Sequence, residues 1–379
     1  MSIKLYASVR DIPRSSWQAC FPGRYPFLQY DFLAAMEAGG CTTRETGWQP
    51  RHILGHGSVQ GGGAEIALPL YLKSHSWGEY VFDQEWAHAY QHHGLRYYPK
   101  LLTAAPFTPA TGPRWGGSGG DQGLSPLVDA VKEMVAEGVA SSWHCLFPEA
   151  SQADSLEALG LLRRSGCQFH WFNRGYDCFD DFLSTFASRK RKNTRKERQA
   201  VQSLGLTFQR QSGETLSEAD WARFYQFYAD TYYKRGHSPH LSPAFFPLIG
   251  RSLGEQILVD WVWLPGEDTP VAAALFFYDD TTLYGRYWGC RREIDGLHFE
   301  VCFYRGIEFA IEKGLQRFDP GAQGEHKISR GFEPVETWSC HWIGHPAFRD
   351  AVARFLQEEK RYLDEYRQLA AERLPFRRG

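Results

Sequence analysis

ILVDWVWLPGEDTPVAAALFFYDDTTLYGRYWGCRREIDGLHFEVCFYRGIEFAIEKGLQRFD, residues 257 to 319, is the stretch that decides the fold. Its apolar runs 257–264, 271–278 and 282–290 are separated by the turn-forming PGEDT and DDT, the pattern of an antiparallel meander. The polar loop RREIDG leads to a predicted helix from His298 to Lys313. There Phe299, Cys302, Phe303, Gly306, Ile307 and Ala310 recur near a 3.6-residue period, and Gly314 is a natural stop. A strand from Gln316 to Asp319 follows at once.

The first half repeats this plan. A glycine loop (116–123) precedes a predicted helix over Pro126–Glu137, a terminating Gly138 and a strand over Ser142–Phe147, followed by a helix near 151–159 and a strand over Cys167–Asn173. Gly138 and Gly314 stand 176 residues apart, and the shared order of elements suggests a duplicated fold, with a single large mixed sheet as the alternative. Further upstream, Asp31 is placed to cap a short helix ending at Gly39-Gly40, and a strand is predicted over 64–73. The prolines of PFTPATGPR (106–114) make an edge strand or an extended loop. A strand is expected over Thr207–Gln211 and an aromatic-rich helix over Ala219–Tyr233. A long amphipathic helix over Pro346–Arg373 either packs on its own domain or zips to a second copy as a homodimer. The reading is α/β with mixed sheets, in two domains, 1–175 and 176–379.

Composition bounds the function. At 379 residues, with 43 % apolar and 23 % charged positions and 13 Trp, 19 Tyr and 26 Phe, the chain has material for two cores, which excludes wholesale disorder. The longest apolar run, VAAALFF (271–277), is far short of the roughly 20 residues that span a bilayer. The N-terminus MSIKLYASVRDIPR lacks the apolar core of a signal peptide, and eight scattered cysteines form no CxxC pair, so a cytoplasmic protein with free thiols is expected. His341 and His345 in HWIGH have a metal-like spacing, but the glycine and proline around them argue against a helix, and no metal is expected. Net charge is −2, yet RKRKNTRKER (189–198) holds seven basic residues and one acidic, leaving −8 on the other 369.

Four stretches carry chemistry. On a helix, Arg191, Arg195 and Arg198 share one face and Lys192 with Lys196 forms the next row, a surface for a polyanion. Lys192, Arg195 and Arg198 are the expected donor-phosphate ligands. Arg114-Trp-Gly-Gly117-Ser-Gly119 has the form R-x-x-G-x-G before a helix, and resembles the coenzyme A pyrophosphate loop of GNAT acetyltransferases; a flexible surface loop would contain the same pattern. The stretch from Phe318 to Glu333 places Asp319 at a strand end, with Gln323, Glu325, His326, Lys327 and Arg330 in the loop beyond. Asp319 or His326 is expected to accept a proton from an attacking amine, and Lys327 and Arg330 to hold a carboxylate, a phosphate or an oxyanion. In the first half, His75, Glu79 and Tyr80, with Tyr98 and Lys100, mix charges and aromatics. They suit a polar-ligand groove or an interior of hydrogen-bonded tyrosines. Trp288, in the meander, joins the expected substrate-binding set.

KSHSWGEYVFD (73–83), YYPKL (97–101), PFTPATGPR, RKRKNTRKER and GAQGEHKISRGFEPV (321–335) together resemble the Fem-like family of N-acyltransferases described as peptidoglycan biosynthesis or recognition proteins. The similarity runs from Tyr25 to Ile343. That family is related to the Fem aminoacyltransferases, which are built of two GNAT-like domains and transfer an amino acid from aminoacyl-tRNA to an amine on a peptidoglycan precursor. The resemblance implies tandem GNAT-like domains, tRNA near the basic segment and the acceptor in a cleft between domains. Fem enzymes carry a Phe-Lys pair shortly before a Phe-Gly or Gly-Phe pair. Lys327 sits comparably before Gly331-Phe332, although His326 precedes it and the spacing is longer by a residue or two. The expected activity is therefore N-acyl transfer with no tightly bound cofactor, aminoacyl-tRNA or acyl-CoA being the co-substrate. The alternatives are an acyl-CoA-dependent N-acetyltransferase and a non-catalytic module that binds cell-wall precursor or nucleic acid.

Overall fold

The computed structural model describes residues 2–59, 62–117, 123–322 and 324–377. The chain forms two compact units of two segments each, Met1–Gly166 with Glu336–Glu365 and Cys167–Val335 with Tyr366–Gly379. The sequence reading set a single boundary after residue 175. In the structure, strand Glu333–Ile343 returns the chain to the first unit, and helix Pro346–Glu372 brings its end back to the second.

In the first unit, Ser2–Tyr6, His52–Val59, Gly62–Leu68 and Gly116–Gly117 pair antiparallel in that order. Trp48–Pro50, Tyr71–Lys73, Lys100–Thr103, Ser142–Leu146 and the later part of Glu333–Ile343 form a second ladder. It is antiparallel except where Leu101 faces Trp143 in a parallel pair. The strand expected over 64–73 is interrupted at Pro69, which has no N–H to continue a ladder. PFTPATGPR forms no strand, only a bridge from Gly112 to Pro148. Helix Leu124–Ala136 buries Leu124, Leu127, Val128, Val131 and Val135 as one stripe against Ile66, Trp143 and Leu156. Each such side chain stabilises the unit by about 1.5–3 kcal/mol. Asp31 does not cap the helix Tyr30–Ala38. Gln29 does, without a side-chain bond, and Asp31 sits in the first turn beside Arg14.

The second unit carries the predicted meander. Thr207–Ser212, Ile257–Trp263, Ala272–Tyr278 and Thr282–Cys290 run antiparallel in sequence. Arg317–Asp319 lies parallel to the last of these, with Tyr284 facing Asp319, and pairs on its other edge with Trp171 and Phe172. A parallel neighbour needs a crossover. A continuous helix supplies it: Leu297–Phe299, a wider π turn over Glu300–Tyr304, and Arg305–Glu312. Gly138 and Gly314 end their helices with φ of 82° and 65°, the left-handed conformation their residue type predicts. The aromatic helix, Glu218–Tyr233, starts from a Ser217–Asp220 capping box and buries Trp221, Phe224, Phe227 and Tyr228. It packs so closely on strand Thr282–Cys290 that a Cβ at Gly289 would lie 1.9 Å from the Phe227 carbonyl oxygen. The basic sequence forms the helix Ser188–Gln202, and the C-terminal helix spans 27 residues. Among the described residues, no helix is long and apolar enough to cross a membrane.

Candidate active site

Three local irregularities coincide around a cavity of about 510 Å³ in the second unit. The first is a β-bulge. Leu275 faces Tyr287 but Phe276 faces Gly285, so Arg286 is the extra residue. A bulge re-aims its side chain, and Arg286 donates through Nη2 to Asp319 Oδ2 at 2.9 Å. The second is the π turn, which sets Cys302 and Phe303 in the wall. The third is the loop after Asp319. Gly324 has φ 115°, and a Cβ there would meet His326 Cε1 at 2.2 Å, so glycine is what allows the imidazole to fold back over its own loop. The turn Glu325–Arg330 then delivers Lys327 to the same cavity.

The electrostatics follow from burial and charge. Asp319, 1 % exposed, also accepts from the Gly321 N–H at 2.9 Å and lies 3.7 Å from His170. Burial alone would raise its pKa, but Arg286 and His170 hold it at about 2. It is an ionised anchor, a poor proton acceptor at neutral pH. Lys327 is 2 % exposed and donates to the Gly321 carbonyl at 2.6 Å. Burial, opposed by Asp319, pulls it down to about 8. His298 is lowered to about 4 by burial and by the charges of its neighbours, Arg330, Lys327 and Arg235 among them. His326 is lowered too, by burial and then by Lys327 and Arg330. Trp288 stands edge-on to His298 at 5.5 Å, and Phe303 lies 5.5 Å from the His326 ring. At neutral pH the cavity thus presents one ammonium and two neutral imidazoles, with no carboxylate among the described residues of its lining.

The other expected residues divide. Arg330 is committed to structure: it donates to the His326 carbonyl at 2.7 Å, pairs with Glu197 and lies 3.6 Å over the Phe299 ring. Arg198 is paired at 2.7 Å with both Glu300 and Glu308, so its charge is matched inside the unit, and Arg195 pairs with Asp180 at the surface. Lys192 is exposed. Arg114 is fully buried and donates to the carbonyls of Leu146, Pro113 and Ala110, which fixes the PFTPATGPR segment instead of offering its guanidinium to a pyrophosphate. Gly117 is a strand residue facing Ile66. Gly119 and Gln323 lie outside the described residues. In the first unit, Lys100 is sealed from solvent between Glu79, at 2.7 Å, and Asp83, and Tyr97 donates to Asp83 at 2.6 Å. Glu79 and Lys100 therefore form an interior ion cluster rather than a groove. His75 and Tyr98 are half-buried, on Thr46 and Ser76, and Tyr80 is exposed with φ 60°.

Residues 8–378 match the FemAB-like family, described as peptidoglycan biosynthesis/recognition. The chain belongs to that family. The crystal structure of FemX shares the fold, with a TM-score of 0.54 at 13 % identity over 92 % of this chain and 99 % of that one. L-PGS from Bacillus licheniformis matches with a TM-score of 0.48 at 11 % identity, over 86 % of this chain and 96 % of that one. A tandem GNAT protein from the clavulanic acid biosynthesis pathway gives 0.47 at 8 % identity, over 91 % and 99 %. No curated protein matches the sequence.

Several residues around this cavity escaped the sequence reading. Glu197, inside the basic run, accepts from Tyr304 and Arg330 and ties the basic helix to the cavity wall. Its signal was helical spacing, since Thr194 and Val201, three residues before and four after it, are buried. Gly285, a glycine inside a strand, foreshadowed the Arg286 bulge. His298, His170 and Arg235 carried no local signal; only the fold brings them to the cavity or to Asp319.

Proposed function

We propose that this FemAB-like protein is an N-acyltransferase that moves an aminoacyl group from aminoacyl-tRNA to an amine on a peptidoglycan-type precursor, in the cytoplasm where charged tRNA is made. The observation that carries the reading is the juxtaposition, in one cavity, of a buried ammonium and neutral imidazoles. The acceptor nitrogen attacks the ester carbonyl carbon as a neutral amine, its ammonium form having first given a proton to solvent. The C–N bond forms, and electrons move to the carbonyl oxygen, where Lys327 donates a hydrogen bond to the developing oxyanion. His326 takes the proton released by the nitrogen and returns it to the departing ribose oxygen as the C–O bond breaks. Asp319 holds Arg286 at the bulge, and His298 and Phe303 fix the position of the His326 ring.

The donor class is supported by the helix Ser188–Gln202. Arg189, Lys192 and Lys196, at i, i+3 and i+7, are exposed and paired with no carboxylate among the described residues, a surface suited to nucleic-acid phosphates. Acyl-CoA held through Arg114 has less support, because that guanidinium is already engaged. The test is to incubate the purified protein with tRNA bearing a labelled amino acid, or with labelled acyl-CoA, and a panel of amines. The reading expects label to pass from tRNA and the Lys327→Met variant to lose the transfer. Tight precursor binding with no transfer from either donor would make the protein a binding module instead.

A further inference from the structure

The cavity lining contains three cations, Arg235, Arg286 and Lys327. Arg286 is neutralised by Asp319 behind it. Lys327 and Arg235 are not matched in this way, so the cavity carries a positive field. That field opposes the very substrate the proposed reaction needs, because an alkyl amine reaches the protein as a cation, with a pKa near 10.4. A simple amine is repelled. An amine that carries its own carboxylate enters without net positive charge.

Arg235 is placed to receive that carboxylate. The helix Glu218–Tyr233 ends in a set of capping bonds: Arg235 and His237 N–H both donate to the Tyr232 carbonyl, and Gly236, with φ 74°, donates to Tyr233. Lys234 Nζ donates to the Cys290 carbonyl at 3.1 Å, and the close contact at Gly289 holds the helix to its strand. The Arg235 backbone is thereby fixed at the cavity rim, its side chain is exposed, and no carboxylate is paired with it among the described residues. The field of Arg235 reaches His298 inside the cavity. The aminoacyl donor has its own carboxyl group esterified, so a free carboxylate at this rim belongs to the acceptor.

We infer that Arg235 selects the acceptor by binding a carboxylate on the same molecule as the reacting amine, and that the acceptor is therefore of the amino-acid class. This rests on the reading that an amine is acylated in this cavity. The test uses Nα-acetyl-lysine and N-acetylcadaverine, which share one primary amine and differ by the carboxylate. Their affinities are measured by calorimetry and by the fluorescence of Trp288, in the wild type, Arg235→Ala and Arg235→Lys, with circular dichroism to confirm folding. The wild type should bind Nα-acetyl-lysine about 10-fold more tightly, and more weakly as salt is added. Arg235→Ala should abolish the preference, and Arg235→Lys should keep part of it. N-acetylcadaverine should bind Arg235→Ala at least as well as the wild type, one repelling cation having been removed. Equal affinities in the wild type, binding of neither compound, or a preference that survives Arg235→Ala would overturn the inference. Acyl transfer to both amines at one rate would also overturn it while leaving the transferase reading intact. An Arg235-dependent preference without any transfer would keep the carboxylate site and remove the transferase reading.

Discussion

Replacing Lys327 with methionine should make the protein more stable and inactive. Lys327 is 2 % exposed, and burial has brought its ammonium from 10.5 down to about 8. At 1.36 kcal/mol per pH unit, holding the charge costs the folded state about 3 kcal/mol at pH 7. Methionine removes that cost and loses the hydrogen bond to the Gly321 carbonyl, worth about 1 kcal/mol. The net gain is about 2 kcal/mol, or a few degrees in melting temperature. The sign of the pH dependence is fixed as well. Below pH 8 both folded and unfolded wild type carry the proton and the penalty is complete. Between 8 and 10.5 the unfolded chain binds more protons than the folded one, so wild-type stability rises towards that of the variant. Thermal unfolding followed by circular dichroism at pH 7 and pH 10 measures both effects. Acyl transfer should fall about 10²–10³-fold, the usual cost of an oxyanion donor. A variant that is destabilised at pH 7 and still active would show that Lys327 is an ordinary structural residue, and the assignment would be wrong.

His326→Ala should lower transfer by about 10²–10⁴-fold. In the wild type the rate should rise with pH through neutrality as the acceptor ammonium gives up its proton, rise more steeply below the usual imidazole range where His326 is also protonated, and level off above 8, where loss of the Lys327 proton offsets further deprotonation of the amine; a rate that keeps climbing about tenfold per pH unit past 9 contradicts the role given to Lys327. Gly289→Ala places a Cβ 1.9 Å from the Phe227 carbonyl oxygen and should cost about 1–3 kcal/mol in urea unfolding, since the atom it meets is backbone and the helix or the strand must shift. Replacing Arg189, Lys192 and Lys196 together with alanine should weaken tRNA binding and flatten the slope of log affinity against log salt by about 2–3. An unchanged slope would move the nucleic acid elsewhere.

Local signals made much of this architecture legible. The meander from 257 to 290 shows in its turns, and the helix stops at Gly138 and Gly314 show in residue type alone. The loop bearing His326 and Lys327 could be singled out because glycines and titratable groups alternate after a strand. Features that depend on register or on distant partners were hidden. The +6 run looks uniformly solvent-facing, yet Glu197 and Arg198 turn inward to Tyr304, Glu300 and Glu308, partners more than a hundred residues away. Arg114 has the look of a phosphate ligand because a buried arginine bonded to carbonyls leaves no trace in sequence. Strand Glu333–Ile343, which returns the chain to the first unit, escaped detection for a physical reason. Thr337, Ser339 and His341 are all buried, so the strand lacks the apolar alternation that marks a half-buried one. His341 bonds His144 at 2.7 Å on the paired strand, and Ser339 at 2.8 Å, which satisfies polar groups that would otherwise forbid such a face.

The central claim, that the acyl group passes through the cavity at the Arg286 bulge, is tested most directly by mapping where a reactive donor lands. A tRNA charged with a diazirine-bearing amino acid is irradiated with the protein, and the adducts are located by mass spectrometry. The account predicts labelling of residues 285–288, 298–303 and 320–327. Labelling concentrated on 73–83 and 97–101, in the first unit, would contradict it.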